Sequence, residues 1–398
     1  MNDPDEDTGK KVSTDVVDGQ QRLLTVALFI IGIKERLVKL SDKQQLPASS
    51  IFNDVSLKFI SKLRIKNELS IQQLQRNSVL VKQQLASFDI KQLEALAYFI
   101  LKHCSVVFIQ LSDLSEAFQF FDSQNARGKA LEPYDLLKAY HLREMLHEPD
   151  LVNNKLISQW EFYARNDGQL KEVFDNYLYR IRQWIKHKPA RYFSNDDIEL
   201  FKGINPDNET SPPYFAIYRL SHHFTDNYNS DRVRKNDQKQ LDYPFTLNQV
   251  ILNGRRFFNY VDHYIELLNF VINKPELQKY FHLINSYDGR TRKGDKYTKN
   301  LFQAILLFYV DKFGCHHLEQ AGKVCFLWAY KMRLDRKSVQ LATMDNYAVT
   351  NDSLFTVIDN SLCSKDVRNY LQVPLTMCNA TKMGEIEEFF IENGVLLK

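Results

Sequence analysis

The sequence is poor in glycine and proline, the residues that punctuate turn-rich β proteins. Its 398 residues include only 13 glycines and 11 prolines, against 27 phenylalanines and 20 tyrosines. Because β-sandwiches and barrels need frequent turns, this balance disfavours them and favours long helices with aromatic-rich cores. Hydrophobic residues make up 44% and charged residues 25% of the chain, which is the composition of a globular protein.

Strong net charge, paired cysteines and long apolar runs are also missing. The formal net charge of +3 is too small to attract nucleic acid to the whole molecule, so such contacts must come from local clusters. The 5 cysteines are widely spaced, which favours reduced thiols in a cytoplasmic protein. The longest apolar stretches, residues 26–33 and 301–310, are far shorter than the roughly 20 residues of a membrane helix. We therefore expect a cytoplasmic protein without a membrane partner.

Several catalytic and metal-binding signatures are absent as well. Cys315, His316, His317 and Cys325 do not form a zinc knuckle, since adjacent histidines face different sides of a helix and a second ligand pair is missing. The sequence contains no P-loop, no Gly-x-Ser-x-Gly elbow and no kinase signature. No histidine-rich nuclease motif follows residue 300. We expect no zinc cofactor and no DNA cleavage by this chain alone.

The hydrophobic pattern predicts a mainly helical protein with a small α/β part. We assign residues 1–11 to a disordered tail, 12–150 to an α/β domain with a helical insertion, and 151–398 to an all-α domain. Strands are predicted at 12–17 and 105–109. Helices are predicted at about 20–40, 51–63, 71–85, 90–103, 112–121, 133–146, 151–163, 170–186, 214–224, 247–272, 297–313, 316–333 and 383–393, with polar loops at 226–243 and 286–296.

The turn from the first strand into the first helix reads Asp18-Gly19-Gln20-Gln21-Arg22. Glycine allows a tight turn, and the free N–H groups at a helix N-terminus favour anions. Arg22 lies at the wrong end of the helix dipole, at a cost of roughly 0.3–1 kcal/mol unless an anion binds beside it. The sequence predicts a phosphate site in which Asp18 organises Mg²⁺ or water and Gln20 or Gln21 orients the nucleotide. The alternative is an exposed turn with Asp18 as the helix N-cap.

A second motif, further along the chain, consists of a loop and the helix after it: Asn125-Ala126-Arg127-Gly128-Lys129 and Asp135-Leu136-Leu137-Lys138. Gly128 is expected to close the turn, so Arg127 and Lys129 place two cations on one short loop, suited to a triphosphate or a DNA phosphate. Asn125 is expected to orient the substrate or the loop. Asp135 and Lys138 are candidate supporting residues, although their positions are also ordinary helix chemistry.

The two motifs, in this order, resemble the signatures of the GmrSD-type restriction endonuclease N-terminal domain family. The resemblance implies an N-terminal subdomain with a ParB/sulfiredoxin-like fold, in which the first turn binds or hydrolyses a nucleoside triphosphate. We accordingly predict catalytic roles, with Mg²⁺, for Asp18, Gln21 and Arg22. Nucleotide contacts are predicted for Gly19, Gln20, Arg22, Asn125, Arg127, Gly128 and Lys129.

The sequence departs from that family at both ends. Family members begin with a segment resembling Ile-Pro-x-Tyr-Gln-Arg ahead of the first motif, and many carry an HNH-type nuclease half after it. Neither feature occurs in this sequence. We expect a truncated gene, a misassigned start or a separate chain that supplies the missing edge of the site.

Two basic clusters are candidate DNA contacts, although solvated helix ends or loops would have the same composition. They comprise Arg180, Arg182, Lys186 and Arg191 in the first cluster, and Arg290, Arg292 and Lys293 in the second.

The sequence therefore predicts an NTP-binding and NTP-hydrolysing subunit of a modification-dependent DNA restriction or anti-phage defence system in bacteria. Its expected partners are DNA, including modified DNA, and a nuclease subunit, and a second copy of the chain is a further candidate. The alternative is a non-catalytic helical interaction module with a degenerate nucleotide site.

Overall fold

A computed structural model describes residues 2–4, 11–13, 16, 19–44, 50–52, 68–110, 131–145, 150–165, 168–205, 212–237 and 239–397. The chain forms two compact units, Met1–Ala130 and Leu131–Lys398, called here the N-terminal and C-terminal units. Helices dominate the described residues, which confirms the prediction of a mainly helical protein. No described helix combines the length and the apolar character needed to cross a bilayer.

The N-terminal unit contains a short strand pair and three described α-helices. Strands β1 and β2 pair antiparallel, with Asn2 opposite Ser13, so part of the predicted disordered tail forms a strand. Backbone pairing of this kind does not require apolar side chains, which is why composition did not indicate it. The elements are β1 Asn2–Pro4, β2 Lys11–Ser13, α1 Gln20–Gln44, the 3₁₀ turn Ser50–Phe52, α2 Glu68–Leu85, α3 Ile90–Tyr98 and the π turn Phe99–His103.

Helices α1, α2 and α3 share one apolar core. Ile33 and Leu93 are fully buried within it. Gly32 allows α1 and α2 to approach closely, since a Cβ at this position would lie only 3.0 Å from the Leu85 side chain. The predicted N-cap is confirmed: the Asp89 carboxylate accepts from the backbone N–H of Gln92 at 2.8 Å. Local signals therefore placed these helices well.

The predicted strand at 105–109 is not a strand. Residues 104–110 have no regular structure, and Val106 and Val107 are 84% and 89% exposed. Among the described N-terminal residues, the strand pair β1–β2 is the only β pairing, so the expected ParB-like sheet is not seen there. β-branched residues favour extended backbone, but a strand forms only where a neighbour completes its hydrogen bonds.

The C-terminal unit is built from short and long helices. Its α-helices are α4 Pro133–Arg143, α5 Asp150–Arg165, α6 Gln169–Val173, α7 Tyr179–Trp184, α8 Ala216–Ser230, α9 Arg232–Asn236, α10 Arg255–Ile272, α11 Gln278–Ser286, α12 Lys293–Phe313, α13 Leu318–Asp335, α14 Leu341–Ala348, α15 Leu354–Asn360, α16 Ser364–Arg368 and α17 Glu385–Glu392. The π turn Phe174–Leu178 joins α6 to α7, and 3₁₀ turns lie at Asn195–Phe201, Pro213–Phe215, Pro275–Leu277 and Asp288–Thr291.

Helix α12 lies at the centre of the C-terminal core. Every residue from 301 to 310 is buried, including the polar Gln303. A helix that is apolar on all sides must be surrounded by other elements, and α10, α13, α14 and α15 pack around this one. The long apolar run in the sequence therefore forms the buried part of the central helix of the C-terminal unit.

Several helix boundaries differ from the sequence prediction. Helix α10 begins at Arg255 and not near residue 247, because Gly254, at φ +70°, breaks the backbone ahead of it. The predicted loop at 226–243 contains the end of α8 and all of α9, which Asp231 caps by accepting from Val233 N–H at 2.8 Å. Helices α14 to α16 were not predicted, since each has at most 8 residues and little periodicity.

His141 is fully buried in the C-terminal unit. Its ring stacks on Phe257 with centroids 3.7 Å apart, Nε2 lies 3.0 Å from the Phe201 carbonyl, and Gly254 N–H donates to Nδ1 at 3.3 Å. The burial lowers the pKa of His141 to about 3.

We expect acid to destabilise the wild type more steeply than His141→Gln. The histidine of the unfolded chain, with a pKa near 6.5, binds a proton that the buried histidine does not bind. Below that pH, the free energy of unfolding of the wild type therefore falls by about 1 kcal/mol per pH unit because of this group. Urea midpoints at pH 7, 6, 5 and 4 measure the difference between the two proteins. Parallel pH profiles would contradict the assignment.

Candidate functional site

The turn ahead of α1 has the geometry that its sequence predicts. Gly19 adopts φ +83°, and its carbonyl accepts from Leu23 N–H at 2.9 Å, which starts the helix at Gln20. The Gln20 side-chain amide donates to the Val16 carbonyl at 2.5 Å, which ties the first residue of α1 to the residue four positions before it. The first turn of α1 contains no acidic residue. Its open N–H groups and positive dipole end are therefore not neutralised from within that turn.

Arg22 folds back over this turn. A Cβ at Gly19 would lie 3.8 Å from Arg22 Nη2 and 4.0 Å from Nε, so the guanidinium lies beside the start of its own helix. Gln20, Gln21 and Arg22 are exposed to solvent. The arrangement sets a guanidinium next to a helix N-terminus on an accessible surface, and both groups attract an anion such as phosphate.

Other predicted members of this site lie outside the described residues. They are Asp18, Asn125, Arg127, Gly128 and Lys129. Their roles, including coordination of Mg²⁺ by Asp18, stay predictions. Among the residues that the structure describes, no three histidine, cysteine, aspartate or glutamate side chains group together as metal ligands.

Asp135 and Lys138 lie on α4 in the C-terminal unit. Lys138 forms an ion pair with Glu161 of α5. Burial raises the pKa of Asp135, and the nearby Lys138 only partly offsets that effect. Lys138 therefore ties α4 to α5, a structural role that its helical position alone did not reveal.

Arg180 and Arg182 are interior residues, which corrects the prediction that they contact DNA. They are 4% and 7% exposed. Arg182 Nη1 donates to the carbonyls of Leu247 and Gln249 at 2.8 and 2.9 Å, and Arg180 Nε donates to the Ala190 carbonyl at 3.3 Å. A buried guanidinium needs such partners, and these two arginines hold loop carbonyls in place.

The remaining candidates for DNA contact lie at or near the surface. Lys186 and Lys293 are exposed. Arg191 is half exposed and its Nε lies 3.4 Å from the buried carboxylate of Asp345. Arg292 is one-third exposed and is held by Asp295, with Nε to Oδ2 at 2.7 Å. Part of each basic cluster is thus balanced by internal carboxylates.

Arg290 lines a cleft of about 400 Å³ in the C-terminal unit. The sequence indicates the basic loop around Arg290 but not the other wall of the cleft, which contains Glu172. Glu172 lies far from that loop in the sequence. The lining residues are Glu172, Ile284, Asn285, Tyr287, Arg290, Asp295, Lys296, Lys299, Asn300 and Gln303.

Two family models match the chain. Residues 3–142 match the GmrSD restriction endonuclease N-terminal domain, which confirms the resemblance carried by the two motifs and associates the chain with restriction systems. Residues 152–384 match a family of unknown function, DUF7834. Searches of curated proteins and of solved structures found no match.

Proposed function

Because the chain belongs to the DUF7834 family over residues 152–384 and carries a GmrSD N-terminal domain over residues 3–142, we propose that it is an NTP-binding and NTP-hydrolysing subunit of a modification-dependent DNA restriction or anti-phage system. The N-terminal domain would bind the nucleotide in the cytoplasm. DNA and a nuclease subunit are its proposed partners, and surface cations such as Lys186 and Lys293 are candidate DNA contacts.

The observation that carries this proposal is the position of Arg22. Its guanidinium lies beside Gly19 at the N-terminus of α1, a helix whose first turn has no acidic residue. The guanidinium and the helix N-terminus each attract an anion such as phosphate. The turn is open to solvent and matches the motif that the GmrSD-type resemblance associates with triphosphate.

The remaining roles follow from the chemistry of the residue types. Asp18 would hold Mg²⁺ or orient the attacking water, and Gln20 or Gln21 would position that water or the nucleotide. Arg127 and Lys129 would add positive charge against the phosphates. Magnesium would neutralise charge on the triphosphate and so favour its hydrolysis. A ParB/sulfiredoxin-like arrangement of the N-terminal domain is part of the same proposal.

We expect Arg22→Ala to weaken binding of ATP or GTP with Mg²⁺ by about tenfold or more, because a charge-assisted hydrogen bond contributes roughly 1.5–3 kcal/mol. Isothermal titration calorimetry on the full chain measures the change. Arg22→Lys keeps the positive charge but loses the planar fork of the guanidinium, so its affinity for the nucleotide should lie between those of the wild type and Arg22→Ala. Arg76→Ala, which removes an exposed arginine from α2 of the same unit, is the matched control. Equal affinities in wild type and Arg22→Ala would refute the assignment.

A second candidate is a non-catalytic interaction module, and one surface favours it. Helix α8 exposes Ile217, Leu220 and Phe224 by 73%, 65% and 62%. Their spacing places them on one face of the helix, as in helices that dock against a partner protein. A thermal-shift panel of nucleotides with Mg²⁺, run on the wild type and on Arg22→Ala, separates the two candidates: stabilisation that Arg22→Ala abolishes supports the nucleotide site, and its absence supports the module.

A further inference from the structure

The 400 Å³ cleft of the C-terminal unit collects side chains from separate elements. Arg290 comes from the 3₁₀ turn Asp288–Thr291, Lys296 and Lys299 come from the first two turns of α12, and Glu172 comes from α6. Three cations and one exposed carboxylate therefore face the same hollow. Whether the cations need an external anion depends on how their charge is balanced inside the protein.

The other carboxylate of the cleft, Asp295, is fully engaged elsewhere. It is 2% exposed and accepts from Arg333 Nε at 3.0 Å and from Arg292 Nε and Nη2 at 2.7 and 3.0 Å. The Tyr287 hydroxyl donates to it at 2.8 Å. Two arginines already share this one negative charge. Asp295 therefore cannot also neutralise the lysines beside it.

Among the described residues, the cations of the cleft have no carboxylate partner. Within the part of the chain that the structure describes, no carboxylate lies within ion-pair distance of Lys296, Lys299 or Arg290. Arg290 instead donates through Nη1 to the Tyr287 carbonyl at 3.0 Å, which orients its guanidinium without cancelling the charge.

Amide groups supply the neutral part of the site. Gln303, 6% exposed, accepts the Tyr177 hydroxyl hydrogen at Oε1 over 3.0 Å, so its NH₂ is available as a donor. Asn285 and Asn300 line the same hollow. Glu172 offers an acceptor for ligand hydroxyl or amino groups. A few polar groups at fixed positions around a concave space are typical of small-molecule sites.

We infer that this cleft binds a small phosphorylated ligand of nucleotide size, with its phosphate held by Lys296, Lys299 and Arg290. The volume falls within the roughly 300–1,000 Å³ of small-ligand pockets and is too small to admit a DNA duplex. Its lining residues belong to the C-terminal unit, whereas the proposed triphosphate site at Gly19 and Arg22 belongs to the N-terminal unit.

Lysine acetylation followed by mass spectrometry tests the site on the full-length chain. The probes are inorganic phosphate, pyrophosphate and the four ribonucleoside 5′-monophosphates, each at millimolar concentration, with a short DNA duplex as the comparison. At least one probe should slow acetylation of Lys296 and Lys299 severalfold and leave Lys323, an exposed lysine of α13, unchanged. No protection by any probe, or protection by duplex DNA alone, would overturn the inference.

Matched variants add an affinity measurement. Lys299→Gln should weaken calorimetric binding of the protecting probe about tenfold or more, since it removes one charge-assisted bond to phosphate, and Lys323→Gln should not. Equal affinity in Lys299→Gln and Lys323→Gln would contradict the site. Arg22→Ala should leave the protection of Lys296 and Lys299 intact, so failure of the triphosphate proposal and failure of this one give different results.

Discussion

Asp295→Ala is expected to lower the free energy of unfolding of the C-terminal unit by about 3–5 kcal/mol, as removal of one partner from a buried ion pair typically does. The substitution leaves the guanidinium of Arg333, only 2% exposed, without its carboxylate, and leaves the Tyr287 hydroxyl without its acceptor. It also releases Arg292, which ties this network to the Thr381 carbonyl at 2.9 Å.

Urea denaturation followed by tryptophan fluorescence measures this loss. All three tryptophans, Trp160, Trp184 and Trp328, lie in the C-terminal unit, so their emission follows that unit alone. Asp295→Asn keeps the shape and some hydrogen bonds but not the charge, and should lie between wild type and alanine. A loss below about 1 kcal/mol for Asp295→Ala would mean that Arg333 does not need this carboxylate.

Asp345→Ala is expected to lower the free energy of unfolding by about 2–4 kcal/mol. It leaves two buried donors without an acceptor, and each such donor costs roughly 1–3 kcal/mol. Asp345 is fully buried, and its Oδ1 accepts from Trp184 Nε1 at 2.9 Å and from Ala190 N–H at 2.7 Å. These bonds join α14 to the end of α7 and the loop after it. The same urea titration reports the loss, and a changed Trp184 environment should shift the native emission.

Arg191→Ala is the matched control for Asp345. It removes only the half-exposed cation that faces Asp345 Oδ2 at 3.4 Å. Because solvent screens this cation, its removal should lower the free energy of unfolding by less than Asp345→Ala does. A similar loss of unfolding free energy in Asp345→Ala and Arg191→Ala would show that the ion pair, and not the two buried N–H donors, stabilises the contact between α14 and the end of α7.

The elements that the sequence predicted well are those whose signals are local. The cap at Asp89, the proline at the start of α4 and the glycine turn before α1 each act over a few residues, and each helix begins where expected. The helical repeat likewise located the main helices of the C-terminal core. The Gly19–Arg22 turn belongs to the same class, because its geometry depends on neighbouring residues alone.

Features that depend on distant partners could not be predicted. Nothing in the local sequence indicates that Arg180 and Arg182 bond to interior groups while Lys186 faces solvent. The run at 105–109 has strand-like composition, yet among the residues that the structure describes no strand pairs with it. Glu172 joins the basic cleft only through the tertiary fold. In each case, a partner remote in sequence decides the outcome.

The burial of residues 301–310 in α12 limits which parts of the C-terminal unit a ligand can reach. No protein or nucleic acid can cover that stretch without dismantling the fold, and of its residues Gln303 alone lines the cleft. The first turns of α12, which carry Lys296 and Lys299, and Lys312 near its other end are open to outside molecules. A ligand in the cleft would therefore contact α12 at its first turns and at Gln303 and leave the rest of the buried stretch untouched.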